Sequence, residues 1–344
     1  MSSQFFCGVD LAKHHFSLHA VDDRGKVILH KSVSRAKLLT TLANMSTMRI
    51  GIEACSGAHY WAREFIKLGH DARIMAAKYV APYRTKGKND LNDAIAICEA
   101  VQRHATRFVP VKSPERQAIL SIHRMREHWV QERTALINRI RALLAEFGIV
   151  IPTGRHAIQR DVPLILEAAD NGLPDIARAV LGDCFEHLQV LNQRIDDTEL
   201  CFDMVTKASP NAQRILKVRG IGPQTATAII ATIGKGEQFD SGRDFAAWLG
   251  LVPKQYSTGG KPRLGRISKR GDKYLRTLLV HGARAAITNL GEKQDRLSVW
   301  GRNILERRGM NRAIVALAGK NARIIWQCSS LKRSRFAINR ITGL

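Results

Sequence analysis

The stretch KNDLNDA, residues 88–94, decides how the N-terminal part of this 344-residue sequence is interpreted. It opens an apolar run that reaches Val101 and predicts a helix. Asp90 and Asp93 then share one helical face, one turn apart. Two carboxylates so close repel unless a cation lies between them, and Mg²⁺ is a usual partner for oxygen ligands. Taken alone, the pair fits a simpler interpretation better, as an N-capping acid followed by a first-turn acid that suits the helix dipole.

The sequence is strongly basic. It contains 54 Lys and Arg against 30 Asp and Glu, a net charge of +24. Most of this excess lies in residues 211–344, where 26 basic residues face 7 acidic ones. Because neutralising phosphates releases counterions, the excess indicates a nucleic-acid partner. No strongly apolar face accompanies the basic residues, so a membrane surface is not expected.

The six cysteines are scattered, without a C-x-x-C pair or zinc-ligand spacing. We expect reduced, mostly buried thiols in a cytoplasmic protein. No apolar run reaches the length of a membrane span, and the N-terminus does not resemble a signal peptide. The sequence therefore predicts neither membrane insertion nor secretion.

The first third of the sequence predicts an α/β domain. Strands are expected at residues 4–9, 15–21, 26–33, 49–53 and 71–75, and helices at 35–44, 60–68 and from 90 onward. A basic loop precedes the last helix and contains Lys78, Arg84, Lys86 and Lys88. The order βββαβαβα is that of a ribonuclease-H-like mixed sheet.

The remainder predicts helices. Long helical stretches at residues 113–147 and 174–208 fit a coiled-coil-like hairpin or, equally, an ordinary bundle. Beyond Pro210 we expect a mainly α-helical domain, with helices near 239–251, 273–290 and 311–328. The predicted domains are 1–112, 113–209 and 210–344.

A glycine turn at residues 215–226 resembles the helix-hairpin-helix element that contacts DNA. Gly220 and Gly222 would let backbone amides approach a phosphate, and the next helix N-terminus favours that anion. Lys217 and Arg219 add positive charge. A plain glycine-capped helix pair is the alternative.

A second basic segment spans residues 254–271. The stretch from Lys261 to Arg276, which begins inside this segment and ends beyond it, has seven basic residues and one acid. We expect a flexible, glycine-rich loop that wraps a phosphodiester. The predicted nucleic-acid contacts are Lys261, Arg263, Arg266, Lys269, Arg270 and Lys273.

Two further acids end strongly apolar strands, Asp10 in GVDLAK (8–13) and Glu53 in GIEA (51–54). Carboxylates at the ends of adjacent strands converge with a helix that crosses the same edge, so Asp10, Glu53, Asp90 and Asp93 are predicted to form one pocket. Four clustered carboxylates require cations, and two Mg²⁺ ions would satisfy them and clamp a phosphodiester.

Further motifs are GIEACSGAH (51–59), GLVP (250–253) and YSTGGK (256–261). Together with the acid and glycine motifs, they resemble the DEDD transposases of insertion-sequence family one-hundred-and-ten, especially subgroup eleven-eleven, over essentially the whole chain. The resemblance implies a RuvC-like N-terminal domain, a coiled-coil segment and a C-terminal transposase domain with a catalytic serine. Two hydroxyls compete for the role of that catalytic serine. Counting back from SKRG (268–271) selects Ser257, whereas counting forward from GLVP (250–253) selects Thr258. Ser257 is preferred because a primary hydroxyl is less hindered.

The resemblance also implies a function, the exchange of double-stranded DNA through a Mg²⁺-dependent DEDD site and a covalent phosphoserine–DNA intermediate. It implies a structured non-coding guide RNA, and homo-oligomers (dimer or tetramer) in which acids and serine come from different protomers, acting at a prokaryotic nucleoid. Two other interpretations stay open: a RuvC-like junction endonuclease using a metal-activated water, and a non-catalytic nucleic-acid-binding scaffold.

Overall fold

The computed structural model describes residues 4–84, 87, 89–258 and 261–329, which form two units that divide between Pro114 and Glu115. The first unit is α/β and the second is mainly helical, as the sequence predicts. The prediction of three domains stays a prediction, because the division into two units does not test where a middle segment would end.

A six-stranded mixed sheet forms the first unit. Its strands are β1 (Phe5–Asp10), β2 (His15–Val21), β3 (Val27–Ser34), β4 (Met48–Glu53), β5 (Asp71–Met75) and β6 (Phe108–Val109), and its helices are α1 (Leu38–Ala43), α2 (Ala58–Lys67), α3 (Ala77–Val80) and α4 (Asp90–Val101). The order is β3-β2-β1-β4-β5-β6, with β1, β4 and β5 parallel and β2, β3 and β6 antiparallel to their neighbours. This arrangement is consistent with the expected ribonuclease-H-like domain; the short β6 was not predicted.

Helix α4 lies directly on the centre of this sheet because two glycines lie beneath it. Gly8 on β1 and Gly51 on β4 are register partners. A Cβ on Gly8 would collide with the carbonyl oxygen of Ala94, and one on Gly51 would lie 2.8 Å from Cβ of Val101. The close approach therefore depends on two residues that lack side chains.

The opposite face of the sheet is covered by α1 and α2. Cys7 and Val9 of β1 and Ile50 and Ile52 of β4 are fully buried there. Because side chains alternate along a strand, the residues between and after them face α4 instead. This alternation determines the direction in which the two strand-end acids point.

The second unit contains helices α5 (Pro114–Ala145), α6 (Arg155–Glu167), α7 (Asp175–Ala208), α8 (Pro210–Leu216), α9 (Pro223–Ile233), α10 (Gly242–Trp248), α11 (Lys273–Thr288), α12 (Arg296–Arg308) and α13 (Met310–Cys328). Helices α5, α6 and α7 share one apolar cluster, and α8 to α13 form another. Helices α6 and α12 were not predicted from the sequence. Helix α6 contains Pro163, which argues against a helix in the sequence, and α12 is rich in charge.

Residues 254–271 are not a continuous loop. They contain most of an antiparallel hairpin, β7 (Pro253–Thr258) and β8 (Lys261–Ile267), so the loop prediction is wrong. The high charge obscured a β-prone segment on each side of a Gly-Gly pair. Gly259 and Gly260 themselves lie outside the described residues.

Cys7, Cys98 and Cys328 are buried, whereas Cys55 is exposed. The described cysteines are all free thiols. Within the described ranges, no helix has the length and apolarity needed to cross a membrane.

Candidate active site

Asp10 and Glu53 project from the sheet face that α4 covers. Each lies two residues after a glycine of the pair beneath α4, so the strand alternation places both on that face. Val9 is paired with Ile52 in the parallel register, which makes the two acids neighbours at the carboxyl edge of the sheet.

Asn89, not an aspartate, caps α4. Its side chain accepts a hydrogen bond from the Asn92 amide at 2.8 Å. Asp90 is the first helical residue and Asp93 lies one turn later. The simpler interpretation of the pair assigned the cap to an aspartate, and the structure contradicts that part of it.

The other three acids act electrostatically on Asp10. Asp10 is half-buried, and burial raises its pKa to about 6, together with the negative charges of Asp93, Asp90 and Glu53 in that order. Arg84 opposes this shift. A carboxyl group raised in pKa by like charges is one that a further cation would stabilise.

Arg84 is the cation that the structure places among these acids. Its Nη2 donates to Oε2 of Glu53 at 2.7 Å, and its Nε pairs with Oδ1 of Asp93 at 2.7 Å. In the described part of the chain, no three acidic, His or Cys side chains are arranged to hold one metal ion. Glu53 and Asp93 are therefore paired with a guanidinium rather than held in a ligand geometry, although four carboxylates match the oxygen preference of Mg²⁺.

Sequence reasoning missed the position of Arg84. The sequence showed Arg84 only as one of several positive charges in a basic loop. Two of the others, Lys86 and Lys88, lie outside the described residues. A cluster of four acids requires a local cation, but the sequence contains no signal that selects one basic residue of that loop.

Ser257 lies on the exposed hairpin. Its Oγ accepts a hydrogen bond from Nε2 of Gln255 at 2.8 Å. Ser257 is opposite Pro262 and Tyr256 is opposite Arg263, so Ser257 and Arg263 lie on different faces of the hairpin. The side chain of Thr258, the alternative nucleophile, lies outside what the structure describes.

The base of the hairpin is tightly held. The Ser268 amide donates to the Val252 carbonyl at 2.8 Å, and the Lys269 amide donates to that of Gly250 at 3.1 Å. Gly250 has φ +73°, and a Cβ there would collide with the carbonyl oxygen of Arg270. The predicted contacts therefore separate into two groups: Lys269 and Arg270 lie at the base and Lys273 begins α11, whereas Lys261, Arg263 and Arg266 lie on β8.

The glycine turn connects α8 to α9, which begins at Pro223 as expected. Gly220 has φ +82°, and a Cβ there would collide with the carbonyl oxygen of Gly282 on α11. Gly222 has open space around it. Packing alone thus accounts for Gly220, whereas Gly222 has no such structural requirement.

The flanking cations of this turn differ as well. Arg219 donates to Oγ of Ser298 at 2.6 Å and to Oδ2 of Asp295 at 3.0 Å. Lys217 is exposed. The helix-hairpin-helix assignment of this turn stays a prediction.

Comparison with known proteins defines the class of this protein as a DNA transposase. Residues 7–149 match the DEDD transposase family of IS110 elements, and residues 212–297 match the family described as transposase IS116/IS110/IS902. The first match contains all four acids and the second contains the glycine turn and the hairpin.

Close relatives extend these matches. The chain is 45% identical over 320 residues to a probable family 20 transposase of Pseudomonas aeruginosa, covering 93% of this chain and 95% of the relative. It is 42% identical over 319 residues to the transposase for insertion sequence element IS1111A of Coxiella burnetii, covering 93% and 88%. It is 39% identical over 319 residues to the transposase for IS1328 of Yersinia enterocolitica, covering 93% and 95%. The chain belongs to the IS110 family of insertion-sequence transposases.

Proposed function

We propose that this transposase cuts and exchanges strands of double-stranded DNA, using Asp10, Glu53, Asp90 and Asp93 as a magnesium site and Ser257 as the nucleophile. The observation that carries the acid site is the half-buried Asp10, whose pKa is raised by burial and by three neighbouring acids. Since Asn89 caps α4, the first-turn aspartates are not needed for capping.

Metal binding at these acids would require an exchange of cations. The four carboxylates would hold two Mg²⁺ ions after Arg84 releases Glu53 and Asp93. When bound, the ions supply Lewis-acid polarisation of the scissile phosphate. The freed guanidinium can then contact a phosphate through two parallel hydrogen bonds, a geometry that a lysine does not offer.

The serine step follows from the position of Ser257. Because Gln255 donates to Oγ, the serine hydrogen is directed elsewhere and is available for transfer. Oγ forms a bond to phosphorus while the bond from phosphorus to a deoxyribose oxygen breaks. The serine proton passes to water and the departing oxygen takes one up. The free hydroxyl later attacks the partner strand's phosphoserine, which releases Ser257.

A covalent-adduct assay tests this function. Purified protein, Mg²⁺ and DNA carrying the element ends should give a protein–DNA adduct that survives denaturation. Ser257→Ala should abolish it, whereas Thr258→Ala should preserve it. An adduct in Ser257→Ala that disappears in the double variant would assign the nucleophile to Thr258.

The same assay separates the two alternatives. Normal cleavage without an adduct in the wild type would establish a RuvC-like endonuclease. DNA binding without either cleavage or adduct would establish a scaffold.

We also propose a structured guide RNA and a homo-oligomer, a dimer or tetramer, as partners at a prokaryotic nucleoid. The net charge of +24 supports polyanionic partners, and family membership supports the rest. If RNA that co-purifies with the protein is removed by ribonuclease, the adduct yield should fall and the addition of that RNA should restore it. An unchanged yield would refute the RNA requirement.

A further inference from the structure

A cavity of about 1060 Å³ opens in the second unit. Its walls come from the turn after α8 and from α10, α12 and α13. The described lining includes no residue of the β7–β8 hairpin that carries Ser257, hereafter the serine hairpin. The volume exceeds what one drug-sized ligand needs, so a nucleotide with part of its neighbours fits inside.

The lining carries a large positive excess. Its basic residues are Lys217, Arg219, Arg243, Arg296, Lys320 and Arg323. Asp295 is the one carboxylate of the described lining, and it is already paired with Arg219 at 3.0 Å. The remaining cations crowd one another: burial and the nearby Arg323 and Arg296 lower the pKa of Lys320. Such a surface favours an anion.

Two tryptophans distinguish this cavity from a plain phosphate site. Trp300 and Trp326 both line it and both are half-buried. Nζ of Lys320 lies over the ring of Trp300, 4.2 Å from its centroid, and the indole of Trp326 donates to the Gly236 carbonyl at 3.1 Å. Indole rings fixed beside cations form a stacking platform for nucleobases.

A buried acceptor adds a further polar feature. Asn321 is fully buried in the lining, and its Nδ2 donates to the Arg219 carbonyl at 3.0 Å. Its Oδ1 accepts no hydrogen bond from any described residue. A buried acceptor without a donor is rare in folded proteins, so a donor from bound water or ligand is expected nearby.

We propose that this cavity binds an unpaired nucleotide of a single-stranded nucleic acid, with its base stacked on Trp300 in place of the Lys320 ammonium and its phosphate contacted by Lys320 and Arg296. The inference depends on the proposed function only in taking nucleic acid as the partner. A base inside a duplex is already stacked on both faces, so stacking on an indole requires an unpaired base. An acidic peptide would use the cations but not the tryptophans.

The test uses the full-length protein and fluorescein-labelled oligonucleotides of about eight nucleotides. The probes are single-stranded DNA, single-stranded RNA of the same sequence and the corresponding DNA duplex; a poly-glutamate peptide serves as competitor. We expect single strands to quench tryptophan emission and to bind in a Trp300-dependent way. Preference between the DNA and RNA strands identifies the natural source.

Variants make the test specific to the cavity. Trp300→Ala should weaken single-strand binding about tenfold, as loss of one stacked base does, and Trp300→Phe should restore most of it. Trp129→Phe, on α5, is the matched control and should bind like the wild type. Arg296→Gln alters an exposed charge, so it tests the cavity even if Trp300→Ala folds poorly. It should weaken binding severalfold.

Three outcomes would overturn the proposal. These are unchanged binding in both Trp300→Ala and Arg296→Gln, equal Trp300-dependent binding of the duplex, and displacement of the strand by poly-glutamate at equal charge concentration. Ser257→Ala should leave single-strand binding intact, so failure of the serine mechanism and failure of this site are distinguishable.

Discussion

The fold supports two parts of the proposed chemistry differently. One is the acid edge of the first unit, where β1 and β4 end at Asp10 and Glu53, and the other is the serine hairpin of the second unit. Asp10 and Glu53 end strands β1 and β4, and the residues before them, Val9 and Ile52, are fully buried. Ser257 lies on a two-stranded hairpin in which Tyr256 is 63% exposed and Leu264 70% exposed. The acids are therefore positioned by a packed core, whereas the serine is positioned mainly by hydrogen bonds at the hairpin base.

The two parts are therefore sensitive to different kinds of substitution. A change beneath the acid edge alters core packing and the distances among like charges at once. A change on the hairpin stays local, because few core contacts depend on it.

Asp10→Asn should reduce recombination about a thousandfold or more, because it removes a carboxylate ligand without changing side-chain size. Thermal unfolding should show no loss of stability, since the change relieves like-charge repulsion. Recombination at the wild-type rate would refute the metal site. Asp22→Asn, an acid of the β2–β3 turn, is the matched control and should recombine normally.

Gly8→Ala should destabilise the first unit by about 3 kcal/mol or more, because the added methyl group collides with the α4 backbone. Hydrogen exchange of the β1 and β4 amides measures the effect. Gly87→Ala, which adds a methyl group in open space, is the control. Equal protection in both variants would show that α4 does not depend on the glycine pair.

Acid should weaken the packing of α5 against α9 and α11 through His123. Its ring contacts the Tyr274 hydroxyl of α11 at 3.0 Å and the Thr227 hydroxyl at 3.1 Å, and burial lowers its pKa from 6.5 to about 4. The unfolded chain binds this proton first, so the stabilisation is complete above pH 6.5 and is lost as the pH falls towards 4, by about 3 kcal/mol. Urea unfolding measures it. His123→Gln should remove this component of the pH dependence; an unchanged pH profile would contradict the assignment.

Arg84→Ala should increase Mn²⁺ affinity about tenfold, because the guanidinium competes with the ion for Glu53 and Asp93. Electron paramagnetic resonance of free Mn²⁺ gives the affinity without reference to activity. Lys78→Ala removes a nearby charge that lies over the Tyr79 ring and should bind Mn²⁺ like the wild type. Weaker binding in Arg84→Ala would show that Arg84 organises the site instead of competing for it.

Arg263→Ala should weaken duplex DNA binding only severalfold, with a shallower salt dependence. Since Arg263 and Ser257 lie on opposite faces, the adduct should still form at saturating DNA. Filter binding at several salt concentrations, followed by the adduct assay, measures both. Loss of the adduct at saturation would mean that the two faces act together.

The sequence predicted most of the sheet and the long helices because their apolar patterns are regular. Strands β1 to β5, α4, α5 and α7 lie close to their expected ranges. The hairpin was missed because charge obscured its alternation, and α12 because its apolar residues are few. Helix geometry predicted the proximity of Asp90 and Asp93. The N-cap of α4 could be assigned to Asn89 only from the backbone conformation.

Composition and local periodicity were enough to predict a polyanionic partner, the strand-end positions of Asp10 and Glu53 and the spacing of the α4 acids. The pairing of Arg84 with two of those acids became apparent only from the fold. The fold also revealed that Gly220 serves helix packing and that scattered cations and tryptophans enclose a cavity. These features depend on contacts between residues far apart in the chain, and neither composition nor periodicity contains that information.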